Sequence, residues 1–199
     1  EQRTENPRVG SSILSLGMKY MNQININELL NNALALHHQG KLDDADKIYQ
    51  LVINGDANNF QANHLHGCIL SQKMQFEEAI TFLEKAISIE PNNYEANNNL
   101  GIAYKNIKSF VNSEKYFKNA ISIDSNNYKA LFNCANLYIE SDKYEEALNY
   151  LEKSSNADIL FAEAPQRIGE VYQYMFQSDR SLTHLHSSKK YFLLAIERD

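Results

Sequence analysis

Histidine and cysteine are the residue types here best suited to metal binding or nucleophilic chemistry, and the chain has six and two of them. His37 and His38 are adjacent, so their side chains diverge on a helix. His64 and Cys68 lie four apart and share a helix face, whereas His66 points elsewhere. His184 and His186 fall in a late, irregular stretch. A zinc site needs three or four converging nitrogen or sulfur ligands. His64 and Cys68 supply two, and His37 or His38 would have to supply the third. A polar histidine lining a groove beside a packed thiol is the simpler reading, so no metal and no cofactor are expected. The pairs Asp43-Asp44, Glu77-Glu78 and Glu145-Glu146 suit the positive ends of helices and need no acid–base role. No phosphate-binding loop, GxGxxG, GxSxG or HExxH motif occurs. With no nucleophile–base pair in the spacing, the chain is expected not to be an enzyme.

The elements that position these residues follow from composition and repetition. The chain has 199 residues, 43% hydrophobic and 22% charged, as in folded proteins. A net charge of −6 argues against a basic nucleic-acid footprint. Three prolines, seven glycines and no tryptophan point to long helices rather than many turns. Two cysteines cannot build a disulfide framework, so a reduced, cytoplasmic location is expected. No apolar run approaches the roughly 20 residues that cross a bilayer, and membrane insertion is not expected.

The chain repeats itself every 34 residues. Ile87-Ser88-Ile89-Glu90 returns as Ile121-Ser122-Ile123-Asp124, and Asn92-Asn93-Tyr94 returns as Asn126-Asn127-Tyr128. The units run 26–59, 60–93, 94–127 and 128–161, with a fifth over 162–199. Small residues occupy the eighth place (Ala33, Gly67, Gly101, Ala135, Gly169) and the twentieth (Ala45, Ala79, Ser113, Ala147). They recur at the twenty-seventh as Ala86, Ala120, Ser154 and, after an insertion, Ala195, with Val52 in the first unit. Large apolar residues hold the eleventh (Leu36, Leu70, Tyr104, Tyr138, Tyr172) and the twenty-fourth (Tyr49, Leu83, Phe117, Leu151, Phe192). Such spacing predicts two antiparallel helices per unit, with small residues admitting close approach and large ones filling the holes. The fifth unit needs seven extra residues, expected between its helices around Ser178–Ser187.

This pattern resembles the tetratricopeptide repeat, whose units place small residues at 8, 20 and 27 and aromatics at 11 and 24. The tryptophan often found at the fourth place is absent, with Leu29, Asn63, Asn97, Leu131 and Pro165 there. The resemblance implies an all-α, right-handed superhelical solenoid of about five helix–turn–helix units over residues 26–199. It also implies that the first helix of each unit lines a concave groove. The residues assigned to that groove are Asn31, His64, Asn98, Asn99, Lys129, Phe132, Asn133, Asn136 and Arg167. An asparagine amide offers one acceptor and two donors, so it can hold the backbone of an extended peptide. Chaperone-binding relatives use a five-residue carboxylate clamp, of which this chain matches two at best. The expected function is therefore non-catalytic protein or peptide binding. Two alternatives are a substrate-recruiting arm of a larger enzyme, such as a protein glycosyltransferase, and a self-assembling scaffold. Residues 1–25 are expected to be an N-terminal extension, partly disordered, with the apolar 13–26 stretch folding back on the first repeat. The chain lacks an initiator methionine and stops short of closing a repeat, so it reads as an excerpt. Leu193 and Leu194 stand where other units are polar, which marks them or residues 13–26 for self-association.

Overall fold

The computed structural model describes residues 26–198, and the expectations for residues 1–25 lie outside the described residues. Ten helices and no strands are present among the described residues. They are α1 (Ile26–His38), α2 (Leu42–Gly55), α3 (Phe60–Gln72), α4 (Phe76–Ile89) and α5 (Tyr94–Asn106). After these come α6 (Phe110–Ile123), α7 (Tyr128–Glu140), α8 (Tyr144–Ala157), α9 (Glu163–Asp179) and α10 (Leu182–Arg198). The chain is thus all-α, as its periodicity predicts. Two compact units divide it, one ending at Glu90 and holding α1–α4, the other beginning at Pro91 and holding α5–α10.

The second asparagine of each of the Asn-Asn pairs at 58–59, 92–93 and 126–127 starts a helix. Asn59, Asn93 and Asn127 accept from the backbone N–H groups of Ala62, Ala96 and Ala130 at 2.9, 3.0 and 3.0 Å. Each bond satisfies one of the N–H groups that a helix start leaves open. At the fourth place Asn63 and Asn97 are buried where tryptophan is usual. Asn63 donates to the carbonyls of Ala57 and Asn59, and Asn97 to those of Pro91 and Asn93. These amides tie the turn before the helix to its first residues.

The helices of a hairpin touch where the small residues stand. A methyl group at Gly101 would lie 2.6 Å from the Phe117 ring, one at Gly67 2.8 Å from Leu83, and one at Gly169 2.9 Å from Phe192. The eighth and twenty-fourth places of each of these hairpins therefore interlock. Hydroxyls at the small places reach across to the other helix: Ser113 donates to the Gly101 carbonyl and Ser154 to that of Tyr128, both at 2.8 Å.

The fifth pair departs from expectation. Its additional residues lengthen both helices to 17 residues instead of forming a connecting loop, and only Arg180 and Ser181 separate α9 from α10. The lengthened helices still meet in repeat phase, because Phe192 packs on Gly169 and Ser188, four residues earlier, is buried.

Candidate functional site

In the second unit, α5 and α7 are neighbouring first helices of successive hairpins. Asn133 Nδ2 on α7 donates to Asn98 Oδ1 on α5 at 3.1 Å. Lys105 Nζ on α5 meets Glu140 Oε1 on α7 at 2.7 Å. Two polar links therefore bridge the helices along one face. Asn98, Asn99, Asn133 and Asn136 are all half-buried there. The Asn98–Asn133 bond uses one donor and one acceptor of the four amides, and the Asn136 amide makes no hydrogen bond to the described residues. An amide in that state offers both a donor and an acceptor to another backbone.

Phe132 is less exposed than an anchor residue on an open wall. Its ring meets Phe161, from the turn before α9, edge-on at 5.0 Å, and Phe161 also lies 4.8 Å from the Tyr128 ring. Lys129 is exposed, with its ammonium 5.7 Å from the Tyr128 ring centre. Arg167 Nη1 on α9 is 2.7 Å from Glu170 Oε2, one turn along the same helix. The face is accordingly close to neutral, with two of its cations already held by carboxylates.

Asn31 and His64 belong to the first unit. Asn31 is exposed on α1. His64 is 7% exposed, its ring stacked on Phe60 at 5.5 Å, and shows little surface. Among the described residues no three His, Cys, Asp or Glu side chains form a metal-ligand set. Burial pushes the Cys134 thiol up to about 12, so at neutral pH it is a packed thiol and not a nucleophile.

The residue that spacing alone passed over is His66. It is 4% exposed, and its Nδ1 lies 2.5 Å from Asp46 Oδ1, on α2 of the preceding hairpin. Asp46 Oδ2 accepts from Gln50 at 3.2 Å and lies 3.4 Å from Lys73 Nζ. Lys73 also reaches Asp43 at 2.8 Å. That hydrogen bond holds the Asp43 carboxyl below, and the Lys73 ammonium above, their ordinary values. A sequence signal existed. Asp46 stands at the twenty-first place, where two other units have Ile80 and Leu148. His66 stands at the seventh, where the three later units have Leu100, Cys134 and Ile168 and the first has Asn32. Two polar residues in core phase demand each other as partners.

Helix hairpins interlocked through small places, with a polar face on successive first helices, define a helical-repeat interaction scaffold of the solenoid class. Residues 67–107 match the family described as TPR repeat, and residues 108–158 the one described as tetratricopeptide repeat. Residues 67–158 thus carry tetratricopeptide repeats, which support a protein-interaction module. Among solved structures, one described as MamA is 23% identical, with 83% of this chain and 93% of that chain covered and a TM-score of 0.72. YrrB, described as a TPR protein with an unusual peptide-binding site, is 20% identical over 89% of this chain and 93% of its own, with a TM-score of 0.70. The pilF protein of Pseudomonas aeruginosa is 14% identical over 87% and 76%, with a TM-score of 0.75. These likenesses show the fold. No curated protein matches the chain. Among the described residues no helix is long and apolar enough to cross a membrane.

Proposed function

We propose that the chain is a non-catalytic module that holds an extended segment of a partner protein along the α5–α7 face of its second unit. The observation that supports this is the half-buried asparagine set of Asn98, Asn99, Asn133 and Asn136, with Asn133 already bonded across the helices to Asn98. Pre-fixed amides lose little freedom on binding and can pair with a peptide backbone without reading its side chains. Lys129 meets a carboxylate of the segment, Arg167 does so through the guanidinium donors that Glu170 leaves open, and the free edge of Phe132 gives an apolar contact. Asn31 and His64, in the other unit, are not needed for this surface. YrrB, similar in fold, is described as having a peptide-binding site, which accords with this use of the scaffold. A cytoplasmic location is part of the same reading.

The test is a random-peptide display library panned on the protein, with selected peptides re-measured by calorimetry. Replacing Asn133 and Asn136 together by Ala should weaken them about tenfold, as losing one to two hydrogen bonds does. Helicity should be unchanged. Equal affinity in the double variant would end the proposal.

A second reading, self-association, draws on α10. Leu182, Leu185, Leu193 and Ile196 are exposed there, at 66, 43, 52 and 73%. Their helical spacing gives an apolar stripe of the kind that marks interfaces. Light scattering over a concentration series should show a dimer that Leu193→Glu dissociates; a monomer throughout removes it.

A further inference from the structure

In the first unit, α2 and α4 flank a cavity of about 400 Å³, with α3 forming its floor. Asp46, Gln50, Asn54, His66, Glu78 and Phe82 are among its lining residues. The volume falls in the range of ligand pockets. At one of the two corresponding layers of the second unit Leu148 and Ile168 pack in one apolar cluster, and the other carries Glu114 and Cys134. Here the same two places carry Asp46 and His66, and the layer stays hollow.

His66 brings a second ring nitrogen to the hollow. In its neutral form His66 gives its Nδ1–H to the Asp46 carboxylate and carries a lone pair on Nε2. His66 makes no second hydrogen bond among the described residues, and its side chain, about nineteen-twentieths buried, lines the hollow. A donor in the hollow would meet that lone pair. The rim is acidic as well. Lys73 is already held by Asp43 and Asp46, while Glu78 has no ion-pair partner among the described residues. Phe82 adds a ring standing edge-on to His66 at 4.3 Å.

We propose that this cavity takes the guanidinium group of an arginine side chain presented by a partner protein. A guanidinium is planar, carries several donors in a fixed fork and stacks on aromatic rings. It can meet the Glu78 carboxylate and His66 Nε2 together while lying against Phe82. An ammonium is a compact point charge and does not combine these contacts. Gln50, Asn54 and Glu78 are exposed at the rim, so the side chain enters from solvent with its own chain remaining outside. The site shares no residue with the asparagine face of the second unit and stands or falls separately.

The test uses the whole chain, labelled with nitrogen-15 in its histidine rings. N-acetylarginine methylamide, its citrulline counterpart and its lysine counterpart are titrated in parallel. The arginine probe should shift the His66 Nε2 resonance saturably and bind at least fivefold tighter than either counterpart. Glu78→Gln, at an exposed position, should weaken it at least fivefold with the fold intact by circular dichroism. A His66 resonance that does not saturate, equal binding of citrulline, or indifference to Glu78→Gln would overturn the site. Equal binding of the lysine probe would overturn the guanidinium assignment.

Discussion

Asparagine is this chain's commonest polar solution to several different problems, and only the structure separates them. Of its 24 asparagines, Asn59, Asn93 and Asn127 cap helices, and Asn63 and Asn97 are buried against turn carbonyls. Asn98 and Asn133 join neighbouring first helices. Repeat phase put the last group on one face of the first helices, because phase says which face a residue occupies. It did not disclose the buried pair at the fourth place or the Asp46–His66 pair, because a phase rule assigns faces and not partners. Asn97→Ala should cost about 1–3 kcal/mol in urea denaturation, since it leaves the Pro91 carbonyl without its donor and the Asn93 carbonyl with only the backbone N–H of residue 97. Tyr49 is the opposite case. It is fully buried and its hydroxyl has no partner among the described residues. Tyr49→Phe keeps the ring and removes the stranded group, so it should raise stability by about 1 kcal/mol in the same assay. The interlock at Gly101 is equally direct. Gly101→Ala gains helix propensity worth about 0.5–1 kcal/mol. It also forces a methyl group to within 2.6 Å of a rigid, fully buried ring, an overpacking cost of about 1–3 kcal/mol. Net destabilisation is expected, and adding Phe117→Leu should recover part of it.

At the scale of elements, the hairpin turns show what periodicity does and does not encode. Helix existence was legible throughout, because small and large residues recur at helical spacing in every unit. The tight connection was less so. Each hairpin turn places one residue in the left-handed region: Gly40, Met74, Lys108, Asp142 and Arg180, with φ between 55° and 74°. The chain then closes back on the helix end; for example, Lys108 N–H donates to the Lys105 carbonyl and Ser109 N–H to that of Tyr104, each at 2.9 Å. Only the first hairpin has glycine at this position, so composition did not announce the turn. A side chain held there costs about 1–2 kcal/mol. Lys108→Gly and Asp142→Gly should therefore each raise stability by a fraction of that, less the added flexibility of the unfolded chain. Gly40→Val should lower it, because a branched residue tolerates the region least. The fifth hairpin extends the lesson. Its surplus residues went into helix because Gly169 against Phe192 still locked the phase, and lengthening both helices preserves that contact.

For the molecule as a whole, buried titratable groups in both units set its pH range. In the first unit burial pushes the Tyr49 phenol up to about 12. In the second, burial pushes the Cys134 thiol up to about 12. Burial, helped by its hydrogen bond to Glu114, raises Tyr138 well above the usual phenol value. In each case the folded state keeps a proton that the unfolded chain gives up near its ordinary value of 9.0 or 10.0. Their contribution is therefore complete below about pH 9 and declines as pH climbs toward the folded values. Glu114 works in the other direction. Its hydrogen bonds from Lys118 and then Tyr138 hold its carboxyl below the ordinary 4.5, so its contribution is present at neutral pH and disappears as pH falls through the folded value. Urea midpoints measured across pH should form a plateau with two limbs. Tyr49→Phe should flatten only the alkaline limb. Glu114→Gln should flatten the acid limb, and it should also shift part of the alkaline one, because Tyr138 loses the charged acceptor that helps hold its proton. An acid limb untouched by Glu114→Gln would remove the Glu114–Lys118–Tyr138 cluster from the forces that hold the second unit together.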